Sequence, residues 1–394
     1  MVRAVISGNA AQSYAAKLAR VQVVSAYPIT PQTTIVEKLA EFVASGELPA
    51  QFVTVESEHS AMQVCISAAS LGARVYTATS SQGLLLMHEL LHWAAGARMP
   101  VVMGVVNRAV APPLSIWTDH TDTIAQRDTG WIQFYTESNQ EVLDTTLMAY
   151  RLSEDPEVRL PTMVTEDGFL LSHTVEPVDL PNQEEVDAFI PQHPPPTGLR
   201  PGSVGRMGSY IGPELYMEFR RKVARAMERA ADVLVEVEDD YQRIIGRHHG
   251  GRLPTYKVED ADAVLITMGT ATTTARAVVD DLRTRGMRIG LAKLRVFRPF
   301  PVRELRALAS TVDRIGVLDR SFTFGAGGAA FIEVAGAIYP IRRRPLLRGF
   351  VAGLGGRDIT PGAIEEMYTS LLKGDGPETQ WIGLKRKMEV VRVG

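Results

Sequence analysis

Four stretches of this sequence place a polar or charged side chain directly behind a short apolar run, where a ligand-facing group would stand. Glu58 follows Phe52 to Val55, whose residues are aromatic or β-branched, and precedes an apolar, Ala-containing run from Ala61 to Ala69. Thr30 lies in Tyr27-Pro28-Ile29-Thr30-Pro31, behind Val21 to Ala26. Ser80, Ser81 and Gln82 follow Arg74 to Thr79, and Asn107 and Arg108 follow Pro100 to Val106. In parallel α/β folds ligands bind at the carboxyl ends of strands, so each of these is a candidate binding position. A carboxylate such as Glu58 is favoured by the dipole of the helix it opens, and it is equally consistent with an ordinary capping acid. The Thr30 hydroxyl is either a ligand contact or a turn and cap group. The Ser80–Gln82 turn lacks the Gly-x-x-x-x-Gly-Lys pattern of a phosphate loop, and its hydroxyls are helix caps or pocket lining. The same choice, anion site or cap, holds for Thr270, Thr272, Thr273 and Thr274.

A different cluster, Asp119, His120, Asp122, Arg127 and Asp128, sits in the stretch 111–131. Its acids and its single histidine are not at the i, i+4 spacing of a helical metal site, so no metal is expected there. The stretch is too polar and aperiodic for a core element and too long for a plain connection, and it reads as a functional or partner-covered loop.

The elements that must carry these groups alternate strand and helix. Helices are expected over 8–20, 34–43, 84–95 and 138–152, and strands over 21–26, 52–55, 74–79, 100–106 and 161–165. The run 100–106 is almost wholly apolar, as in a strand covered on both faces. From 175 to 213 the chain turns Pro/Gly-rich and reads as an extended excursion. The residues 214–246 repeat apolar positions every three or four residues, the mark of a long amphipathic helix. A second α/β unit begins near Asp262, with strands at 263–268, 288–293 and 314–319. The resulting expectation is two parallel-sheet α/β domains, 1–250 and 258–394.

Composition bounds the function. With 394 residues, 45% hydrophobic and 22% charged, the chain reads as an ordinary globular protein of two or three domains. A net charge of −3 offers no basic excess for nucleic acid. No run of ~20 apolar residues is present to span a membrane, and residues 1–20 lack an apolar signal core, so the cytoplasm is the expected location. Cys65 is the only cysteine. It is expected to be a buried structural thiol, and one thiolate excludes an iron–sulfur cluster held by this chain alone, which needs about four. Gly374-Asp375-Gly376 matches the start of a thiamin-diphosphate signature, but no apolar strand precedes it, and it reads as a surface turn.

The motifs AYPITPQT at 26–33, VESEHSAM at 55–62, TATSSQG at 77–83, HWAAGARMP at 92–100, VNRAVAPP at 106–113 and QRDTGWIQFY at 126–135 occur in a set order and spacing. KLRVFRPFP at 293–301, GVLDRSFTFG at 316–325 and GLGGRDIT at 353–360 continue it. Over nearly its whole length the chain resembles the α subunit of the multi-subunit 2-oxoacid:ferredoxin oxidoreductases, pyruvate synthase type. The resemblance implies a pyrimidine-binding domain for thiamin diphosphate followed by a transketolase C-terminal-like domain. It implies that β, γ and ferredoxin-like δ subunits supply the diphosphate and Mg²⁺ domain and the [4Fe-4S] clusters. Coenzyme A and external ferredoxin are the implied reaction partners, and the implied reaction is oxidative decarboxylation of a 2-oxo acid, foremost pyruvate. By the same resemblance Glu58 hydrogen-bonds N1′ of the aminopyrimidine and exchanges a proton there. Arg108 and Thr30 bind the substrate carboxylate, while Ser80, Ser81 and Gln82 line the cofactor pocket. A planar, always-charged guanidinium suits the carboxylate role.

Three alternatives belong beside this one, the nearest being a branched-chain or other 2-oxoacid:ferredoxin oxidoreductase subunit. A thiamin-dependent dehydrogenase or transketolase component also uses a Glu, but would not be expected to carry the YPITP turn or the RDTGW loop. A non-catalytic scaffold of the same complex would not need Glu58 at all. The stretches 111–131 and 175–213 are the candidate partner contacts.

Overall fold

The computed structural model describes residues 2–190, 208 and 210–385. The chain forms two compact units. The first comprises Met1–Pro254 with Met268–Thr270 and Leu294–Pro301, and the second Thr255–Thr267, Ala271–Lys293 and Val302–Gly394.

In the first unit seven strands form one sheet, in the order Val296–Arg298, Ile132–Tyr135, Thr162–Asp167, Val102–Asn107, Val75–Thr79, Val23–Ala26, Gln51–Thr54. All neighbours are parallel except the edge strand Val296–Arg298, which runs antiparallel to Ile132–Tyr135. The central strands are apolar because both faces are covered. Val102 and Val106 join the cluster that includes Ala11, Ala15, Leu147 and Leu234, while Met103 and Val105 join that of Met62, Cys65, Leu84 and Leu91. Alternation along one strand thus feeds two cores. Cys65 is buried in the second, and burial pushes its thiol up to about 12.

Most expected elements form within a residue or two of their sequence limits. The helix expected over 84–95 instead begins at Ser81 and is divided at Met87 into Ser81–Leu86 and His88–Gly96. The strand Ile132–Tyr135, fully buried yet only four residues long, was hidden between polar neighbours. The stretch 175–213 is not extended throughout. Val175–Leu180 pairs antiparallel with Val2–Ser7, and Gln183–Phe189 is a helix opened by a capping box of Asn182 and Glu185. Residues 191–207 and 209 of that stretch lie outside the described residues. The long helix, Pro213–Ile245, has Pro at its first turn and ends on Gly246 at φ 84°, a left-handed position that glycine adopts without strain.

Two buried arginines brace this unit. Arg295 donates from Nε to Glu141 (2.8 Å), from Nη1 to Glu238 and Gly251 O (3.1 Å), and from Nη2 to Thr145 (3.2 Å). It thereby ties the edge strand to helices Asn139–Ser153 and Pro213–Ile245. Arg74 grips both carboxylate oxygens of Glu154 at 2.6 and 2.7 Å, and its Nη1 donates to Ala19 O at 2.6 Å.

The second unit is a six-stranded sheet in the order Thr379–Trp381, Leu346–Val351, Arg314–Asp319, Ala263–Thr267, Ile289–Lys293, Thr255–Tyr256. Only the last, two-residue strand is antiparallel. Gly374 closes the helix Pro361–Lys373 in a left-handed conformation at φ 73°, so the Gly-Asp-Gly triplet here is a helix terminus.

Arg74 and Glu154 are 1% and 3% exposed, so removing one partner strands the other charge. Arg74→Ala is expected to lower unfolding free energy in urea by about 3–5 kcal/mol, and the double change Arg74→Met, Glu154→Leu to recover most of it. A single-variant loss under about 1 kcal/mol would mean that water reaches Glu154 and the pair braces nothing.

Candidate active site

Thr30, Glu58, Ser80 and Arg108 all follow parallel strands of the first unit, so all lie along the carboxyl edge of one sheet. Between Val23–Ala26 and Val75–Thr79 the order of connection reverses, which makes this the topological switch point.

Glu58 is the first residue of the helix Glu58–Ser70. The cap is Ser57, whose hydroxyl accepts from Ser60 N at 3.3 Å. The helix therefore does not use Glu58 as its capping acid. The Glu58 side chain is buried, 6% exposed, and among the described residues its carboxyl takes part in no hydrogen bond. It fits against Gly83: a methyl group there would stand 2.3 Å from Glu58 Oε1 and 2.6 Å from Thr79 Oγ1. Three neighbouring hydroxyls, Thr77 Oγ1, Thr79 Oγ1 and Ser80 Oγ, are buried and lack a partner among the described residues. Ser80 occupies the cap position of Ser81–Leu86, yet its hydroxyl makes no capping bond. Buried polar groups are ordinarily satisfied. A carboxyl and hydroxyls left unanswered around a side-chain-free glycine match a site that receives hydrogen bonds from a polar heterocycle, and thiamin diphosphate's aminopyrimidine is such a ring.

Arg108 sits at the end of Val102–Asn107, 8% exposed. Its Nη1 donates to Thr30 O at 2.9 Å and its Nε to Ser115 O at 3.2 Å. Among the described residues Nη2 has no hydrogen-bond partner, which leaves one edge of the fork for an anion. Burial lowers its pKa, with Asp122 opposing, and an arginine remains charged regardless. Thr30 is exposed. Its turn is held by Gln32, which accepts from Ile29 N (3.2 Å) and donates to Ala78 O (2.9 Å), and by Asn9, which donates to Pro31 O at 2.8 Å. Thus Arg108 and Thr30 are brought together. Glu58 and the Ser80–Gly83 turn form a second group on the same edge. Gln82 is half-buried beside Ser81, with Oε1 2.6 Å from Ser81 Oγ.

The stretch 111–131, expected as a functional or partner-covered loop, is partly folded into the first unit. Leu114 and Trp117 are exposed at 75% and 52%, but Thr118 to His120 and Asp122 to Ile124 are buried, with a short helix at Thr121–Ile124. Most of their polar groups are answered inside the unit, His120 Nδ1 being buried without a partner among the described residues. His120 Nε2 lies 2.8 Å from Asp167 Oδ1, and Thr118 Oγ1 donates to the same oxygen at 3.3 Å. Asp119 accepts from Thr121 N at 3.0 Å, and Arg127 donates to Ile124 O at 3.1 Å. The Thr270 turn joins this group: Thr270 N and Oγ1 both donate to Asp167 Oδ2, the former at 2.9 Å. Among the described residues no group of three His, Cys, Asp or Glu side chains is gathered as a metal ion would need.

Asp122 is the residue whose role the sequence hid. Fully buried, it accepts four N–H bonds: from Ser81 N and Arg108 N on Oδ2, both 3.0 Å, and from Asn107 Nδ2 and Thr123 N on Oδ1, both 2.8 Å. Burial pushes its carboxyl up to about 7, against the hydrogen bonds from Asn107, Arg108 and Ser81. Ser81 is held at φ 46°, a strained value for a residue with a side chain, and its hydroxyl donates to Ala109 O at 2.7 Å. Only the clustering of acids at 119–128 hinted at Asp122, and nothing in sequence marked Gln32 or Asn9.

The family model described as pyruvate flavodoxin/ferredoxin oxidoreductase, thiamine diP-bdg, matches residues 14–239. A second, pyruvate:ferredoxin oxidoreductase core domain II, matches 261–364. The chain is 48% identical over 391 residues to the pyruvate synthase subunit PorA of Methanothermobacter thermautotrophicus, covering 99% of this chain and 100% of that one. It is 50% identical over 394 residues to the ketoisovalerate oxidoreductase subunit VorA of Pyrococcus horikoshii, covering 98% and 99%. Among solved structures, the 2-oxoglutarate:ferredoxin oxidoreductase of Magnetococcus marinus, with 2-oxoglutarate, coenzyme A and succinyl-CoA bound, aligns with a TM-score of 0.72 at 19% identity. That alignment covers 94% of this chain and 65% of the other, and it speaks for the fold alone. With one family model over more than half its length and relatives near half identity from end to end, the chain belongs to the 2-oxoacid:ferredoxin oxidoreductases, as an α subunit.

Proposed function

We propose that this chain supplies the aminopyrimidine side of a thiamin-diphosphate site and the substrate-carboxylate pocket of a complex that oxidatively decarboxylates pyruvate. The products are acetyl-CoA and CO₂, with electrons passed to ferredoxin. The observation that carries this reading is the Glu58 carboxyl, buried beside Gly83 without a partner among the described residues, on the same sheet edge as the Arg108–Thr30 pair. When bound, thiamin diphosphate supplies the carbon nucleophile and the electron sink that cleavage beside a 2-oxo group requires. Glu58 holds a proton toward N1′ of the aminopyrimidine and can release and recover it, which an amide could not do. Gly83 admits the carboxyl, and the hydroxyls of Thr79 and Ser80 are available to the ring. Arg108 directs its Nη2 edge at the carboxylate of the 2-oxo acid, with the Thr30 hydroxyl beside it. Holding the substrate at a fixed distance from the reacting atom is the larger part of what such a pocket contributes.

The remaining machinery belongs to partner subunits. One cysteine cannot hold an iron–sulfur cluster, and the Gly374 turn does not follow a strand as a diphosphate and Mg²⁺ motif would. The relatives are named as subunits, and the exposed side chains of Leu215, Tyr216 and Met217 on the long helix are consistent with subunit contact. We place the complex in the cytoplasm. Among the described residues no helix is long and apolar enough to cross a membrane. A branched-chain 2-oxo acid is the second reading, favoured by the 50% identity to a ketoisovalerate oxidoreductase subunit.

The test is viologen reduction by the native complex, recovered through a tag on this chain, with coenzyme A and a panel of 2-oxo acids. Pyruvate is expected to give the highest kcat/KM; preference for ketoisovalerate would transfer the assignment to the second reading. Glu58→Gln is expected to lower kcat at least ~10²-fold with the complex intact, and full activity would leave only a scaffold role. Arg108→Ala is expected to raise KM for the 2-oxo acid ~10–100-fold, the loss of a charge-assisted bond. Gly83→Ala, which drives Glu58 from its position, is expected to cost ~10²-fold in kcat; an unchanged rate would show that the carboxyl does not work from where it sits.

A further inference from the structure

Asp122 touches neither group of candidate site residues through its own reach toward a ligand, yet it is bonded to the backbone of both. One oxygen, Oδ2, accepts from Ser81 N and from Arg108 N, each at 3.0 Å. The first of these fixes the start of the helix that carries Gly83, and hence the surface against which Glu58 is seated. The second fixes the residue whose guanidinium reaches Thr30 O. The other oxygen is held by Asn107 Nδ2 and Thr123 N, both at 2.8 Å, so the carboxylate cannot turn without breaking bonds on both sides. Ser81 is kept at φ 46°, a conformation that persists only where the surroundings impose it.

Building on the proposed reaction, we infer that Asp122 is a positioning residue that locks the cofactor-facing turn at Ser80–Gly83 and the substrate-facing Arg108 into one register. The chemistry of the shell accounts for the residue type. Four N–H groups converge on Asp122 and only an all-acceptor side chain answers them. An asparagine of the same shape would turn an NH₂ group against two donors. The surrounding charged groups are Arg108 and Asp119, and neither supplies a side-chain bond to the carboxylate. The shared oxygen makes the two halves of the site interdependent, since a shift at Ser81 and a shift at Arg108 are accommodated by the same atom.

The experiment uses the tagged native complex with Asp122→Asn, and with exposed Asp239→Asn as the control. Four quantities are read: kcat, KM for pyruvate, the Kd for thiamin diphosphate by equilibrium binding, and the melting temperature. Asp122→Asn is expected to raise both KM and Kd by at least ~10-fold and to lower kcat, because misplacement by even a fraction of an ångström is amplified at a reacting centre. In an Arg108→Ala background the same change is expected to add less than ~2-fold to KM while still raising Kd, the non-additivity of residues that act through one another. Fully additive KM effects, or a lowered melting temperature with KM, kcat and Kd intact, would overturn the inference and leave Asp122 a merely structural acid. Should Asp122→Asn fail to assemble, Asn107→Ala removes one bond to Oδ1, together with the Asn107–Thr123 bond, and leaves both Oδ2 bonds in place. It is expected to raise KM and Kd together by a few-fold, and no change in either would overturn the inference. An unsubstituted complex that oxidises no 2-oxo acid would defeat the proposed reaction itself. An active complex indifferent to Asp122 would defeat only this inference.

Discussion

Parallel pairing is the constraint on which the rest of the first unit depends. When neighbouring strands run the same way, every segment that leaves a strand emerges at the same edge. Val23 lies level with both Gln51 and Val75, Tyr76 with Val102, and Thr79 with Val105. Residues separated by up to 78 positions are thereby delivered to one rim, as Thr30 and Arg108 are. The helices between the strands supply the two apolar cores that keep the sheet covered. The site groups at the rim are thus by-products of strand direction, and their identity is free to be set by chemistry.

Such a rim needs polar loops to lie over apolar layers, and this unit meets the resulting cost by closing its acids in rings of donors. Asp122 is answered by four N–H groups, and Asp167 by His120, Thr118 and Thr270. Asp144, at the other side of the unit, is held by Tyr241, Arg247 and His249. There the flanking histidine and arginine outweigh burial and keep its pKa below the usual carboxylate range. Glu166 is the exception. Both its oxygens lack partners among the described residues, and burial, with Asp167 beside it, raises its pKa well above the ordinary value. An unpaired buried carboxylate would be far more costly than the neutral acid.

Much of this was legible in the sequence. Val102–Asn107 announced itself as a two-sided strand because covering both faces requires an unbroken apolar run. The long helix announced itself over 214–246 because its apolar positions recur every three or four residues, and the structure adds Pro213 at its first turn and leaves Gly246 as its cap. Glu58, Thr30 and Arg108 stood out as polar residues behind such runs, and the motifs gave them expected roles. Asp122 did not stand out, since its importance lies in the backbone N–H groups of Ser81 and Arg108, which every residue possesses. The stretch 111–131 read as a functional or partner-covered loop, and its burial was not legible, because polarity does not show which partners answer it: Asn107 stands just before the stretch and Asp167 well beyond it. The edge strand Val296–Arg298 was invisible because three residues carry no period.

That edge strand has a bearing on how the chain is made. Residues 294–301 belong to the first unit, although 36 residues of the second, Thr255–Thr267 and Ala271–Lys293, precede them. Arg295 bonds both Glu141 and Glu238 in the interior, and Glu238 also lies 3.2 Å from His248 Nε2. A chain that has emerged only as far as Pro254 carries both acids without the arginine that bridges them. The last segment of the first unit is laid down only after strands of its neighbour. Synthesis order and folding order are in this way interleaved, and no single cut of the chain yields both units whole.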